Sequence, residues 1–240
     1  MARPTRTRSE TIAAELRDDI LRGQYRPGER LPSERDLAAR HATSRGTVRE
    51  AVKRLDQLGL ADIQPGGARA AAVQGCSLDV LGPLLALEPT PDPALVDQIF
   101  EVLGVLMRFA AEAAVTHGEA EKLAETRRLI RKLRTSAGSA DAGESVAGLF
   151  RSLADAADHL VLRLIMNGLR GQAREHIRKT CDPESIDPVE LRRIARDLDT
   201  AIDKRRPAAA GAAIERLFDV LRRHAANRQA SVEPRRRVAS

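Results

Sequence analysis

Residues 31–58 constrain the fold of this chain more than any other stretch, because they predict two short amphipathic helices joined by a tight polar turn. The first helix is expected to begin at Ser33, whose hydroxyl can cap free backbone N–H groups while Asp36 reaches back in a capping-box arrangement. The turn follows at residues 41–43, and the second helix is expected to begin near Thr43 or Ser44. This order predicts a helix-turn-helix.

The second helix has one apolar and one polar side. Its apolar residues recur with the helical period on one stripe, formed by Val48, Ala51, Val52, Leu55 and Leu58. The opposite side carries Gly46, Arg49 and Lys53, with Arg45 and Thr47 on its flanks near the N-terminus. Arginine can donate two hydrogen bonds to guanine, and hydroxyl groups can contact bases or phosphates. The exposed side is therefore predicted to enter a major groove of DNA.

A strand, a turn and a second strand are predicted directly after this helix. Residues 60–64 and 68–73 are the strands, and Pro65-Gly66-Gly67 is the turn. The hairpin makes the motif a winged helix-turn-helix. Because the turn and second strand carry no cation except Arg69, contact of the wing with the minor groove stays an open question.

The motif resembles the N-terminal domain of GntR-family transcription regulators over residues 10–74. The matching stretches are residues 23–35 (GQYRPGERLPSER), 37–38, 44–51 (SRGTVREA) and 59–60. The resemblance implies that the operator is contacted by Arg35, Ser44, Arg45, Thr47, Arg49 and Gly66. Gly46 joins this set through its place on the exposed side of the helix. The alternative is that Arg35 and Arg49 pair with Asp36 and Glu50 on a solvated surface, and that Gly66 serves only the turn.

Length and charge bound the rest of the chain. The 240 residues suffice for two domains, and residues 1–74 carry 14 Lys and Arg against 10 Asp and Glu, so most of the net charge of +6 lies with the proposed DNA-binding domain. The sequence has no apolar run long enough for a membrane span and no apolar signal region, so we expect a cytoplasmic protein. Cys76 and Cys181 stand alone and are expected to be free thiols.

Helical patterns replace strand signals from Cys76 onward. Helices are expected at about 94–117, 118–136, 143–156, 158–180, 186–205 and 208–228. A proline-rich break precedes the first of them at 89–93, and Pro183, Pro188 and Pro207 mark or adjoin later joints. The predicted fold class is mainly α, with an N-terminal winged helix-turn-helix (an α/β wing) followed by an all-α antiparallel helical bundle. The expected divisions are a DNA-binding domain over 1–74, a linker and first helix over 75–92, an effector-binding and dimerisation domain over 93–228, and a disordered basic tail over 229–240, which contains three arginines at 235–237.

The helical region resembles the effector domain of the FadR subgroup, in particular the fatty-acid-responsive type. The matching segments are residues 78–81, 93–97 and 164–171. Many relatives hold a divalent metal with one Asp and three His, and the first of these histidines follows a Phe in the middle of the bundle. Here Phe150 is followed by Arg151, and the five histidines are scattered without i, i+4 pairs. We expect no metal and no cofactor.

An apolar bundle interior without a metal favours a ligand with an acyl chain. The expected interior includes Phe100, Phe109, Phe150 and Phe218, and an anionic head group could meet Arg108, Arg151, Arg163 or Arg170 unless these are solvated surface residues. No effector-binding residue is assigned. Long-chain acyl-CoA or a related lipid is the expected effector.

The sequence as a whole predicts a ligand-responsive repressor that binds a palindromic DNA operator as a homodimer. The first alternative is a metal-dependent, carboxylate-sensing regulator of the same family. The second is an architectural protein that binds DNA without sequence preference. No catalytic motif stands out, so an enzyme is not expected.

Overall fold

A computed structural model describes the backbone of residues 6–180 and 186–232, and the side-chain packing of 6–172 and 186–227. The chain forms two compact units that divide between Thr90 and Pro91. The first unit contains α1 (Arg8–Leu21), α2 (Glu34–Arg40), α3 (Arg45–Gln57), β1 (Ala61–Gln64), β2 (Gly67–Ala70), two 3₁₀ turns (Val73–Gly75 and Leu78–Val80) and α4 (Leu81–Ala86). The second contains α5 (Pro93–His117), α6 (Ala120–Ser136), α7 (Ala142–Ala156), α8 (Leu160–Thr180), α9 (Pro188–Asp203) and α10 (Pro207–Val232).

Ser33 caps α2 as predicted, but its partner acts differently. The Ser33 hydroxyl accepts a hydrogen bond from the backbone N–H of Asp36 at 3.2 Å. The Asp36 carboxylate accepts a bond from the Ser33 hydroxyl at 2.6 Å, whereas a capping box would have it accept the backbone N–H of Ser33. The prediction of a full capping box at this helix is therefore wrong in its second half. A complete capping box joins Thr7 and Glu10 at the start of α1.

The turn between α2 and α3 fixes where the second helix begins. Ala42 has a φ of +46°, in the left-handed region, and this lets the chain reverse direction within three residues. Ser44 then caps α3, because its hydroxyl accepts from the backbone N–H of Thr47 at 3.2 Å. The predicted apolar stripe of α3 is buried against α1 and α2, apart from Leu58, which is partly buried.

The wing is a two-stranded antiparallel hairpin in which Ala61 lies opposite Ala70 and Gln64 opposite Gly67. Its second strand is shorter than predicted, because the chain leaves the ladder after Ala70 and makes a 3₁₀ turn at Val73–Gly75. Residues 75–90 make up most of the stretch expected to be a linker and first helix, and they belong to the first unit. Val80 is buried in the core of this unit, and Leu84 lies against that core.

The second unit is a bundle in which α10 packs against α5 and α9, and α6 packs against α7 and α9. The predicted helices match the observed ones within a few residues. Two of the prolines that the sequence marks as breaks, Pro93 and Pro188, occupy the first turn of α5 and α9, each following an aspartate cap. The last helix continues to Val232, into the stretch expected to be a tail, and the arginines at 235–237 lie outside the described residues.

The interior of the bundle is apolar, with a few hydroxyl groups. Two hydroxyl pairs join α6 to α7: Thr126 with Ser152 at 2.7 Å, and Ser136 with Ser145 at 2.9 Å. Phe100 and Phe218 are buried, and Phe150 stacks on Phe218 with ring centroids 5.1 Å apart. The expectation that Phe109 fills the interior is wrong. It is 43% exposed and meets the ring of His159 edge-on at 5.3 Å.

Candidate nucleic-acid interface

The first turns of α3 present the predicted contact residues to solvent. Ser44, Arg45, Gly46 and Arg49 are exposed, and Thr47 is partly exposed, with its hydroxyl 3.0 Å from that of Ser44. Across the described ranges, no carboxylate lies within 4 Å of the Arg45 guanidinium. An exposed cation at the start of a helix whose other side is buried can approach a groove without rearrangement of the core.

Arg49 is held by a carboxylate, but not by the one that the sequence offered as the alternative partner. Its Nε and Nη2 donate to the two carboxylate oxygens of Glu34 on α2, both at 2.9 Å, while Glu50 pairs with Lys53 at 3.3 Å. The hydrogen bonds from Arg49 lower the pKa of Glu34 and raise that of Arg49 itself. The pair therefore stays charged at neutral pH and fixes the direction of the guanidinium.

Arg35 lies on α2 and is largely exposed. Its side chain is 78% exposed, and its Nε lies 3.7 Å from the carboxylate of Asp36, which is the partner named in the alternative. The pKa of Asp36 is lowered first by the hydrogen bond from Ser33 and then by Arg35. A contact this long and exposed leaves the guanidinium of Arg35 free to turn to another anion.

The wing tip combines a turn that requires glycine with a cation from elsewhere in the chain. Gly66 and Gly67 have φ values of +96° and +131°, which L side chains rarely adopt, so the turn requires glycine. The guanidinium of Arg30 donates to the carbonyl oxygen of Gly66. Arg69, the cation that the sequence placed on the wing, donates to the carbonyl oxygen of Gly28 at 2.8 Å. Arg30 was not among the predicted contact residues, because its proximity to the wing depends on tertiary pairing.

The segment that leads away from the wing returns to the end of α3. The backbone N–H of Ser77 donates to the carbonyl oxygen of Leu58 at 2.9 Å, and the thiol of Cys76 donates to that of Gly59 at 3.1 Å. Burial raises the pKa of the Cys76 thiol. Cys76 is free, and Cys181 lies outside the described residues. The end of α3 and the start of the following segment are thus joined by hydrogen bonds.

The candidate head-group arginines of the second unit are engaged on its surface. Arg108 pairs with Glu112 at 3.1 Å, Arg151 with Glu144 at 3.1 Å, Arg163 with Asp158 at 3.5 Å, and Arg170 with the side-chain oxygen of Asn167 at 2.7 Å. Over the part of the chain with described side chains, no group of three His, Cys, Asp or Glu residues could hold a metal ion. His176 lies outside that part. None of the described helices is long and apolar enough to cross a membrane.

An N-terminal winged helix-turn-helix with exposed arginines on its second helix, followed by a helical bundle, defines the class of winged-helix transcription regulators. The chain matches the family model of bacterial regulatory proteins of the gntR family over residues 8–69 and that of the FCD domain over residues 98–220. It belongs to the GntR family, as the sequence resemblance indicated, and it is a transcription regulator with an FCD domain and not an enzyme.

Similar proteins agree with this membership. An uncharacterized HTH-type transcriptional regulator of Mycobacterium tuberculosis is 32% identical over 88% of this chain and 87% of its own length. The regulator Mce2R of the same species is 31% identical over 67% and 68%. The fatty acid metabolism regulator protein of Yersinia pestis is 29% identical over 64% of each chain. A solved Listeria monocytogenes regulator, Lar, shares the fold with a TM-score of 0.57 at 16% identity, over 94% of this chain and 99% of that one.

Proposed function

We propose that this protein is a ligand-responsive repressor that recognises a specific palindromic operator in the cytoplasm through the first turns of α3. The main support is the polar side of α3, where Ser44, Arg45, Gly46, Thr47 and Arg49 are at least partly exposed, while the apolar stripe of the same helix is buried apart from Leu58, which is partly buried. Arg35 on α2 and Gly66 at the wing tip complete the proposed contacts. An arginine of this set that pairs bidentately with guanine is worth about 1–3 kcal/mol of base discrimination.

The operator is expected to be palindromic because each chain offers one recognition helix. A single helix contacts only a few base pairs, and two such helices on half-sites about one helical turn apart restore affinity and specificity. A two-fold symmetric homodimer presents two identical helices in this way.

The face that would join two copies lies on α5 and α8. Both helices leave large apolar side chains uncovered: Val102, Val105 and Phe109 on α5, and Leu160, Val161, Leu164 and Ile165 on α8. The ring contact between Phe109 and His159 connects the two sets. We call this surface the α5–α8 face.

The exposed area of the α5–α8 face fits a second copy of the chain. From their exposed fractions, the seven side chains present on the order of 700 Å², more than the roughly 300–600 Å² of the largest patch on a typical monomer. Two such faces would bury on the order of 1,400 Å², within the roughly 1,200–2,000 Å² of a stable interface.

The proposed effector is a long-chain acyl-CoA or related lipid that binds in the helical bundle. Support comes from the apolar interior of the bundle and from the similarity to a protein named as a fatty acid metabolism regulator. A ligand that binds one arrangement of the two readers better than another shifts the dimer toward that arrangement and so changes operator affinity.

Selection of bound sequences from a random DNA library tests operator recognition. The purified chain is expected to enrich a two-fold symmetric sequence and to bind it at least about a thousandfold tighter than random DNA at moderate salt. Equal affinity for both DNAs would show an architectural protein and overturn the proposal.

The effector is tested by titration of the operator complex with palmitoyl-CoA, with free CoA as the control. Release of the DNA by palmitoyl-CoA alone supports the proposal. A stoichiometric divalent ion in the purified protein, together with a response to small carboxylates alone, would replace the acyl effector by the metal-dependent type.

A further inference from the structure

The tip of the wing has no charged residue of its own. Residues 64–68 read Gln-Pro-Gly-Gly-Ala, and Arg69 is turned to the carbonyl oxygen of Gly28. The cation at the tip is Arg30, which comes from the segment before α2 and donates to the carbonyl oxygen of Gly66. The tip of the wing thus has a cation that comes from a distant part of the sequence.

Backbone pairing places Arg30 beside the wing. The N–H of Leu31 donates to the carbonyl oxygen of Ala68 at 2.9 Å, and Arg30 forms an isolated antiparallel bridge with Arg69. These bonds lay the segment along the outer edge of β2. The backbone from Glu29 to Leu31 therefore acts as a short third strand of the wing, and the Arg30 side chain extends toward its tip.

Gly67 makes room for this side chain. A Cβ at position 67 would come within 3.2 Å of the Nε of Arg30 and 3.4 Å of its Nη2, so the guanidinium crosses the wing where a larger residue would press on it. Only one of the five N–H donors of a guanidinium is needed for the bond to Gly66. The others remain available at an exposed site.

Arg30 also keeps its charge free of acidic partners. In the described parts of the chain no carboxylate lies within 4 Å of its guanidinium, and the adjacent Glu29 carboxylate accepts the backbone N–H of Arg26 at 2.9 Å. In this respect Arg30 differs from Arg49, which is paired with Glu34. A cation that is fixed in position and not neutralised is suited to an anionic groove.

We propose that Arg30 is the residue with which the wing enters the minor groove next to the base pairs that α3 reads, and that it favours A·T pairs there. This rests on the proposed operator recognition. Narrow A·T-rich minor grooves have an enhanced negative potential that attracts arginine, and the exocyclic amino group of guanine obstructs a side chain inserted there.

Base-pair substitution in the operator flank tests this assignment. Three operators carry A·T, I·C or G·C pairs in the flank next to each α3 half-site; I·C has the minor groove of A·T but lacks its major-groove pattern. The wild-type chain is expected to bind the A·T and I·C operators equally and the G·C operator about tenfold more weakly. Arg30→Gln is expected to bind all three equally, and Arg30→Lys to keep part of the preference.

Arg69→Gln is the matched control, because it removes the same charge from the same wing but a guanidinium that points to Gly28. It is expected to keep the flank preference. If Arg30→Gln retains the preference, or if it weakens binding to all three operators by the same factor while the tenfold difference persists, Arg30 only braces the wing and the proposal is overturned. Failure of operator recognition itself would show separately, as equal binding of wild-type protein to operator and random DNA.

Discussion

The guanidinium of Arg49 on α3 is held by both carboxylate oxygens of Glu34 on α2, at 2.9 Å each. The pair joins the two helices of the motif and sets the direction in which Arg49 faces solvent. A charged pair on the proposed DNA-binding surface has two opposing effects on DNA binding. It pre-orients one donor group, and it places a negative charge beside the phosphates.

Replacement of Glu34 by Gln is expected to separate these effects. Random DNA should be bound more tightly, and the slope of log K against log salt should steepen by about 1, because one more cation is available to phosphate. The preference for the operator should fall, because Arg49 is no longer fixed. Binding titrations on operator and random DNA at several salt concentrations measure both quantities. An unchanged slope would mean that Arg49 does not face DNA.

Replacement of Arg45 by Ala is expected to weaken operator binding by about 1–3 kcal/mol, roughly 5- to 150-fold, with a smaller effect on random DNA. The reason is that Arg45 is exposed on the first turn of α3 and that, among the described residues, no carboxylate lies within 4 Å of its guanidinium. Arg128→Ala removes the same charge from α6 in the other unit, where Arg128 pairs with Glu125, and serves as the control. Wild-type operator affinity in the Arg45 variant would remove this residue from the interface.

Charge introduced into the α5–α8 face is expected to separate the proposed dimer into monomers. Val105→Glu places a carboxylate in the middle of the face, where association would bury it unpaired. Val189→Glu on α9 is a matched control, since the two valines are 67% and 69% exposed. Sedimentation velocity at micromolar concentration measures the outcome. A dimeric Val105→Glu protein would place the interface elsewhere, whereas a monomeric wild-type protein would contradict the dimer itself.

The ion pair that joins α5 to α10 is expected to stabilise the fold less as the pH falls. Asp97 accepts two hydrogen bonds from Arg222 at 2.8 Å each, and these lower its pKa below the usual 3.8. Because the pKa is lower in the folded state, the stabilisation is complete at neutral pH and is lost as the pH falls through the folded-state pKa. Asp97→Asn should cost about 0.5 kcal/mol at pH 7, as exposed pairs do, and nothing at the lowest pH.

Urea unfolding at a series of pH values checks this expectation. Arg222→Gln added to Asp97→Asn should cause little further loss at pH 7 if the pair acts as a unit. A difference between Asp97→Asn and the wild type that persists unchanged to the lowest pH of the series would contradict the role assigned to the ion pair.

Replacement of Gly59 by Ala is expected to destabilise the first unit more than replacement of Gly23. Both glycines have a φ of +75°, so both alanines carry the same backbone strain. A Cβ at Gly59 would also come within 3.0 Å of the Cα of Cys76, while nothing lies within 4 Å at Gly23. The Gly59 variant should lose about 1–3 kcal/mol more in thermal or urea unfolding. Equal losses would show that the backbone at Cys76 moves away from the added Cβ without a cost in stability.

Local features of the site were predictable from the sequence, and the pairings between distant segments were not. The cap at Ser44 and the buried stripe of α3 follow from residues within one helix, so the pattern predicts them correctly. The alternative partner that the sequence offered for Arg49 was the neighbouring Glu50, whereas the crossing of α2 and α3 brings Glu34 to it. Arg30 reaches the wing through strand pairing across 36 residues, which no local pattern indicates.

In the helical unit, too, local features were predictable from the sequence and contacts between distant segments were not. Its helix bounds follow from periodicity and from the prolines at the joints, so they were predicted closely. Periodicity places Phe109 on the apolar side of α5, but it cannot tell whether a neighbouring helix covers that position. The structure leaves Phe109 exposed, because this side of α5 continues into the uncovered part of α8.

The two hydroxyl pairs between α6 and α7 restrict where a guest molecule can enter the bundle. A hydrocarbon chain pushed between these helices would separate Thr126 from Ser152 and Ser136 from Ser145. Thr126 and Ser136 would keep their bonds to the carbonyl oxygens of Lys122 and Leu133. Ser145, which is buried, would lose its partner, and a hydroxyl left buried without a partner costs about 1–3 kcal/mol. An apolar tail that enters along this seam therefore meets a polar cost in addition to the loss of hydrocarbon packing.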